Sequence, residues 1–143
     1  MRVADGRTVT GSFDRVLVDA PCTGLGVLRR RPESRWRREP GHIGELTPLQ
    51  KELLLTAIAC TRPGGVIAYV TCSPHLAETE LVVDAVLKAG HVDRLDAREV
   101  ALTIPGLRNR DEFGACTEPG PYLRLWPHRH DTDGMFLALL RRR

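Results

Sequence analysis

The stretch Gly64-Gly65-Val66-Ile67-Ala68-Tyr69-Val70-Thr71-Cys72-Ser73-Pro74 decides the fold class of the chain. Two glycines turn the backbone, β-branched and aromatic residues follow, and a serine and a proline close the run. A nearly continuous apolar run of this length reads as a strand buried on both faces, the parallel kind that lies under helices. Cys72 then stands where the strand ends, and in open α/β sheets the ligand crevice lies outside the carboxyl ends of the strands. A second stretch, Phe13-Asp14-Arg15-Val16-Leu17-Val18-Asp19-Ala20-Pro21-Cys22-Thr23-Gly24, has the same design. Its strand over 13–19 runs into Asp19 and then Cys22. As parallel neighbours, the two strands bring Asp19, Cys22 and Cys72 to one rim.

Helical patterns lie around these strands. Thr47 reads as an N-cap, Pro48 as the first helical residue and Gln50 as the closing member of a capping box. Leu49, Leu53, Leu54, Ala57 and Ile58 repeat at helical spacing, and Arg62-Pro63-Gly64-Gly65 stops the helix. A second helix spans about 76–89, with Glu78 and Glu80 in a first turn that favours acids and Gly90 at its end. Alternation of strand and helix indicates an α/β sheet with right-handed crossovers. Residues 91–100 hold one short strand, 103–121 read as a loop, and 122–127 and 135–140 are further strands joined by a polar turn. At the start, Val3-Ala4-Asp5-Gly6-Arg7 resembles the close of a strand followed by a turn. Residues 20–45 read as a long polar loop, and loops of that length in a compact domain are usually functional or disordered.

Composition narrows the classes. The 143 residues are one domain's worth, 42% hydrophobic and 27% charged, as in ordinary soluble proteins. No apolar run approaches the roughly 20 residues that span a bilayer. The first residues lack signal-peptide architecture, so the expectation is a cytoplasmic protein with no membrane partner. The net charge is +3, and the only lysines are Lys51 and Lys88. The basic residues are otherwise arginines, which suit planar contact with phosphate and stacking on bases. Of the four cysteines, none pairs at Cys-x-x-Cys spacing, and neither they nor the histidines form a metal set. Cys60 reads as a small buried hydrophobe, and Cys116 is uninformative.

Two cysteines remain, each ending a similar strand, with arginines and helix starts close by. Those surroundings favour a thiolate. The loop from Arg29 to Arg38 holds six arginines and Trp36. Arginines meet phosphates, and an aromatic or guanidinium plane stacks on unpaired bases. His75 reads as an exposed helix-start residue.

Asp19-Ala20-Pro21-Cys22-Thr23-Gly24, then Arg30-Arg31-Pro32 with Trp36, then Thr71-Cys72-Ser73-Pro74 and the closing Asp133-Gly134-Met135-Phe136 resemble, in this order, the Fmu/Sun (RsmB-type) RNA cytosine methyltransferases. Glu78 and Glu80 stand where that family has an acidic stretch. The resemblance implies an α/β, Rossmann-like class I methyltransferase sheet, with mainly parallel strands and an antiparallel terminal strand. It implies 5-methylcytosine formation in RNA, with ribosomal RNA as the expected partner and S-adenosylmethionine as cofactor. In that scheme Cys72 is the nucleophile that adds to carbon 6 of the base, and covalent catalysis follows. Cys22 resembles the second cysteine that helps product release. Asp5 and Asp19 resemble cofactor contacts, and Arg30, Arg31, Arg35 and Trp36 are the expected RNA contacts. A target base must leave its stack to reach such a site.

No Gly-x-Gly-like loop precedes Asp5. A Rossmann-like site binds its cofactor chiefly through the first strand–loop–helix unit. Residues 1–143 are therefore expected to be the carboxyl portion of a catalytic domain, with an unpaired edge on the strand at 13–19 and a companion N-terminal half. The competing reading is an inactive α/β fragment or RNA-binding module that retains the motifs.

Overall fold

The computed structural model describes residues 3–37, 39, 41–105 and 119–143. Cys116, Arg38 and most of the loop expected over 103–121 lie outside them. Among the described residues five strands form one sheet: β1 (Phe13–Asp19), β2 (Thr61–Thr71), β3 (Val92–Leu95), β4 (Leu123–Leu125) and β5 (Met135–Arg142). The order is β1-β2-β5-β3, and β4 pairs with the other end of β5 beside β3. β1 and β2 are parallel, with Val16 opposite Ile67 and Val18 opposite Tyr69. The terminal strand β5 is antiparallel to β2, β3 and β4. Four strands thus run one way and the last runs against them, as the sequence led us to expect.

The helices are α1 (Ser34–Arg37), α2 (Gly41–Cys60), α3 (Glu80–Leu87), α4 (Ala97–Leu102) and α5 (Pro127–His130). Leu54 and Ile58 of α2 and Val82, Val83 and Val86 of α3 pack on Ile67, Tyr69, Phe136, Ala138 and Leu140 to make the core. Burying a side chain of this size stabilises by about 1.5–3 kcal/mol, so this one layer of contacts holds the chain together.

The expectation of strands buried on both faces is corrected here. Ile67, Tyr69 and Thr71 are buried, but Val66, Ala68 and Val70 on the opposite face are only half-covered. In β1, Leu17 is 68% exposed. The apolar runs match a doubly covered sheet, yet α2 and α3 cover one face only. The far edge of β1 pairs with no described strand. Beside it lies an open, mainly apolar hollow of about 330 Å³, lined by Phe13, Leu17, Leu53 and Asp19 among others.

Local readings differ at several points. α2 begins at Gly41, six residues before the expected cap, so Pro48 lies inside it. Thr47 is no N-cap, because its hydroxyl donates back to the Ile43 carbonyl at 2.7 Å. The carbonyl that Pro48 leaves without a helical donor belongs to Gly44, an exposed residue. Arg62 to Gly65 end the helix but form part of β2, as an irregularity where the register jumps between Phe13 and Arg15. Gly64 supports it with φ +78°. The second helix is split into a 3₁₀ turn at Leu76–Glu78 and α3. Residues 97–102 form a helix that the sequence reading lacked, capped by Asp96 through Glu99 N–H. Val3 to Asp5 form no strand; Asp5 instead caps a 3₁₀ turn at Gly6–Thr8. No helix among the described residues is long and apolar enough to cross a membrane.

Candidate functional site: a thiol pair at the carboxyl rim

Because β1 and β2 are parallel neighbours, the loops that leave their carboxyl ends meet. The Ala20 N–H donates to the Val70 carbonyl and the Gly26 N–H to the Cys72 carbonyl, both at 2.9 Å. The sulfurs of Cys22 and Cys72 lie 3.4 Å apart. Both line an open hollow of about 370 Å³ with Asp19, Thr23, Arg31 and Ser34 among its walls. The structure therefore brings together the three residues that the sequence placed on one rim.

The two thiols are not equivalent. A hydrogen bond joins the two sulfurs; donated by Cys22 to the ionised form of Cys72, it draws the Cys72 thiol down to about 7 against the opposing effect of burial. Asp19 and Asp133 also oppose the drop through their charge. The same contact, with burial, holds Cys22 well above the ordinary thiol range. The pair therefore gives up its first proton from Cys72, in the pH range where reactive cysteines operate.

Beneath the thiols lies an arrangement absent from the sequence reading. Glu78 is fully buried. Its carboxyl accepts from Thr23 N–H at 2.8 Å, Thr23 Oγ1 at 2.5 Å, Ser73 Oγ at 2.6 Å and Gln50 Nε2 at 3.1 Å. Gln50 Nε2 also donates to the Pro21 carbonyl at 2.9 Å. An acid in a helix's first turn has a sufficient explanation in the helix dipole, which hid this one. The readable signal was a hydroxyl residue directly after each cysteine, Thr23 and Ser73, with nothing in the local sequence to bind them.

The closing motif docks on the same rim. Gly134 N–H donates to the Gly26 carbonyl at 2.8 Å, and Asp133 forms a two-pronged pair with Arg30. Arg30 holds the Asp133 carboxyl below the ordinary carboxylate range. Arg29 pairs with Asp131 at 3.0 Å. Arg31 lines the thiol hollow, Arg35 is exposed, and Trp36 is 85% exposed on α1. Asp5 does not line that hollow. Arg7 grips its carboxyl at 2.7 Å and holds it down to about 2, while Gly6 lines the apolar hollow that Asp19 shares. Cys60 is buried, its thiol donating to the Val9 carbonyl at 3.0 Å. His75 is exposed and caps the turn at Leu76–Glu78.

The family model described as 16S rRNA methyltransferase RsmB/F matches residues 1–141. A Mycobacterium tuberculosis protein whose name places it provisionally among methyltransferases is 56% identical over 140 residues, covering 96% of this chain and 29% of its own length. The Homo sapiens 28S rRNA (cytosine(4447)-C(5))-methyltransferase is 39% identical over 141 residues, which is 94% of this chain and 17% of that protein. Among solved structures, NSun6 from Pyrococcus horikoshii with SFG superposes with a TM-score of 0.76 at 28% identity, covering 99% of this chain and 34% of that one. The chain thus spans about a third or less of the length of each. It belongs to the RsmB/F methyltransferase family.

Proposed function

We propose that this member of the RsmB/F family supplies the thiol-bearing, carboxyl portion of a catalytic domain that methylates carbon 5 of cytosine in RNA, ribosomal RNA foremost. The 3.4 Å approach of Cys22 and Cys72 in one open hollow carries the reading. Carbon 6 of cytosine is a weak electrophile, so the soft thiolate of Cys72 suits the addition. Its sulfur bonds to carbon 6, the 5,6 double bond opens, and the electron pair passes to carbon 5, which becomes the nucleophilic atom. After methylation, the proton on carbon 5 must leave so that the carbon–sulfur bond can break and the double bond re-form. Cys22 would take that proton as a thiolate: its own proton is held chiefly by the hydrogen bond to Cys72, and once Cys72 is bonded to the base that hold lapses and the proton passes to solvent.

S-adenosylmethionine, when bound, supplies an electrophilic methyl group on a sulfonium cation. The residues present fit such a molecule. Asp19 is exposed, its carboxylate accepts no hydrogen bond from the described residues, and it borders both the thiol hollow and the apolar hollow beside β1. A carboxylate next to an apolar wall suits a cation joined to a purine. Asp19 and Asp5 would hold it, and the NSun6 relative carries an analogue, SFG. Arg30, Arg31, Arg35 and Trp36 would meet the RNA, with Arg31 directly at the hollow. A cofactor-loop unit would dock along the edge of β1 that pairs with no described strand.

The test mixes the chain with RNA and labelled S-adenosylmethionine, with and without the amino-terminal portion of a relative. Cys22→Ser is expected to accumulate a covalent RNA adduct that survives denaturing gels, and a further Cys72→Ser change to abolish it. Neither adduct nor methyl transfer under either condition would refute the reading.

A further inference from the structure

We propose that Glu78 is the positioning residue of the thiol pair: its buried carboxyl ties together the residues that directly follow Cys22 and Cys72, and so sets the distance between the two sulfurs. The role rests on the thiol-pair reading above but concerns the geometry, whatever the substrate.

The two loops leave different strands, and each thiol is one residue away from a group that Glu78 binds. Thr23 is held by both its N–H and its hydroxyl, at 2.8 and 2.5 Å. Ser73 is held at 2.6 Å on the oxygen that also takes the Thr23 hydroxyl. One oxygen thus joins both loops, and the two hydroxyls themselves lie 3.4 Å apart. Glu78 is fixed in turn: the Tyr69 hydroxyl donates to its carbonyl at 2.8 Å, and His75 caps the turn that carries it. Thr23, Ser73, Gln50 and Glu78 are all buried. In such a setting a hydrogen bond has no competition from water, and an unmade one is expensive. A donor–acceptor contact between two sulfurs is weak and cannot hold two loops in register. The clasp below it can.

The Glu78→Gln change keeps the side chain's size but turns one acceptor oxygen into a donor that faces other donors. The readout is the rate of Cys72 alkylation by iodoacetamide against pH in the full chain, measured by peptide mass spectrometry, with circular dichroism to establish folding. In the parent the profile is expected to rise through about 7. In Glu78→Gln the midpoint is expected to move toward the free-thiol value of about 8.5, which lowers the rate at neutral pH roughly tenfold. Thr23→Val and Ser73→Ala each remove one strand of the clasp and carry the same test if Glu78→Gln fails to fold; a smaller shift in the same direction is expected. A folded variant with a lowered melting temperature but an alkylation profile superimposable on the parent's would overturn the proposal, since Glu78 would then serve stability alone. The RNA adduct separates this outcome from failure of the methylation reading. Equal adduct formation by Cys22→Ser with and without Glu78→Gln sinks the positioning role and leaves the chemistry standing. A shifted profile with no adduct in any variant sinks the chemistry and supports the positioning role.

Discussion

Gly26→Ala is the sharpest probe of how the rim is assembled. A methyl group at position 26 would collide with the Gly134 carbonyl oxygen, and it would lie 2.8 Å from the Gly134 carbonyl carbon and 2.9 Å from the Cys72 carbonyl oxygen. These are backbone atoms that cannot rotate away. The segment must withdraw, which strains or breaks the bonds from Gly26 N–H to Cys72 and from Gly134 N–H to Gly26. Two hydrogen bonds are worth about 1 kcal/mol each, and forcing a methyl into a packed site costs about 1–3 kcal/mol. Replacing glycine restricts the unfolded chain and returns at most about 1 kcal/mol. The clash wins, leaving a net loss of about 3 kcal/mol. For a chain of this size that lowers the melting temperature by roughly 10 °C. Thermal unfolding followed by circular dichroism reads the loss. Cys72 alkylation reads the accompanying change at the site, because the Cys72 carbonyl is one of the displaced partners. A variant that melts within about 2 °C of the parent and keeps its alkylation profile would refute the close docking of the 133–134 segment on residue 26.

Two other outcomes follow from the same geometry. Cys22→Ala removes the donor that favours the Cys72 thiolate, so the pH at which Cys72 becomes half-reactive should rise above about 7; the loss of reactivity should be greatest at neutral pH and vanish in alkali, where any thiol is ionised, and an unchanged profile would show that Cys22 does not set it. Leu17→Lys should alter stability by no more than about 0.5 kcal/mol because the site faces solvent, while lysine on a free strand edge opposes pairing; sedimentation should show the parent self-associating with concentration and the variant remaining monomeric, and equal association of both would clear the β1 edge of blame.

Much of this protein is local in origin. Apolar runs ending in Asp19-Ala20-Pro21-Cys22 and Thr71-Cys72-Ser73 announce two strands and the rim beyond them, because strand identity depends on side chains a few residues apart. Parallel pairing of those strands then forces the loops to meet, so the company of Asp19, Cys22 and Cys72 was readable before any coordinates. The start of α2 was not, since Pro48 and Thr47 signal a first turn as plainly as they tolerate a second. Nor was the exposure of Leu17 and the half-covered face of β2, because an apolar sequence records what a surface is suited to meet and not whether its partner is present. Glu78 was the largest omission. Its bonds run to Thr23, Ser73 and Gln50, and two of those three partners lie far along the chain, so only tertiary structure could show that an acid suited to a helix start is the buried knot that holds two thiols together. The distinction between Cys22 and Cys72 belongs to that level too: a hydrogen bond between sulfurs 50 residues apart exists only once the sheet has closed.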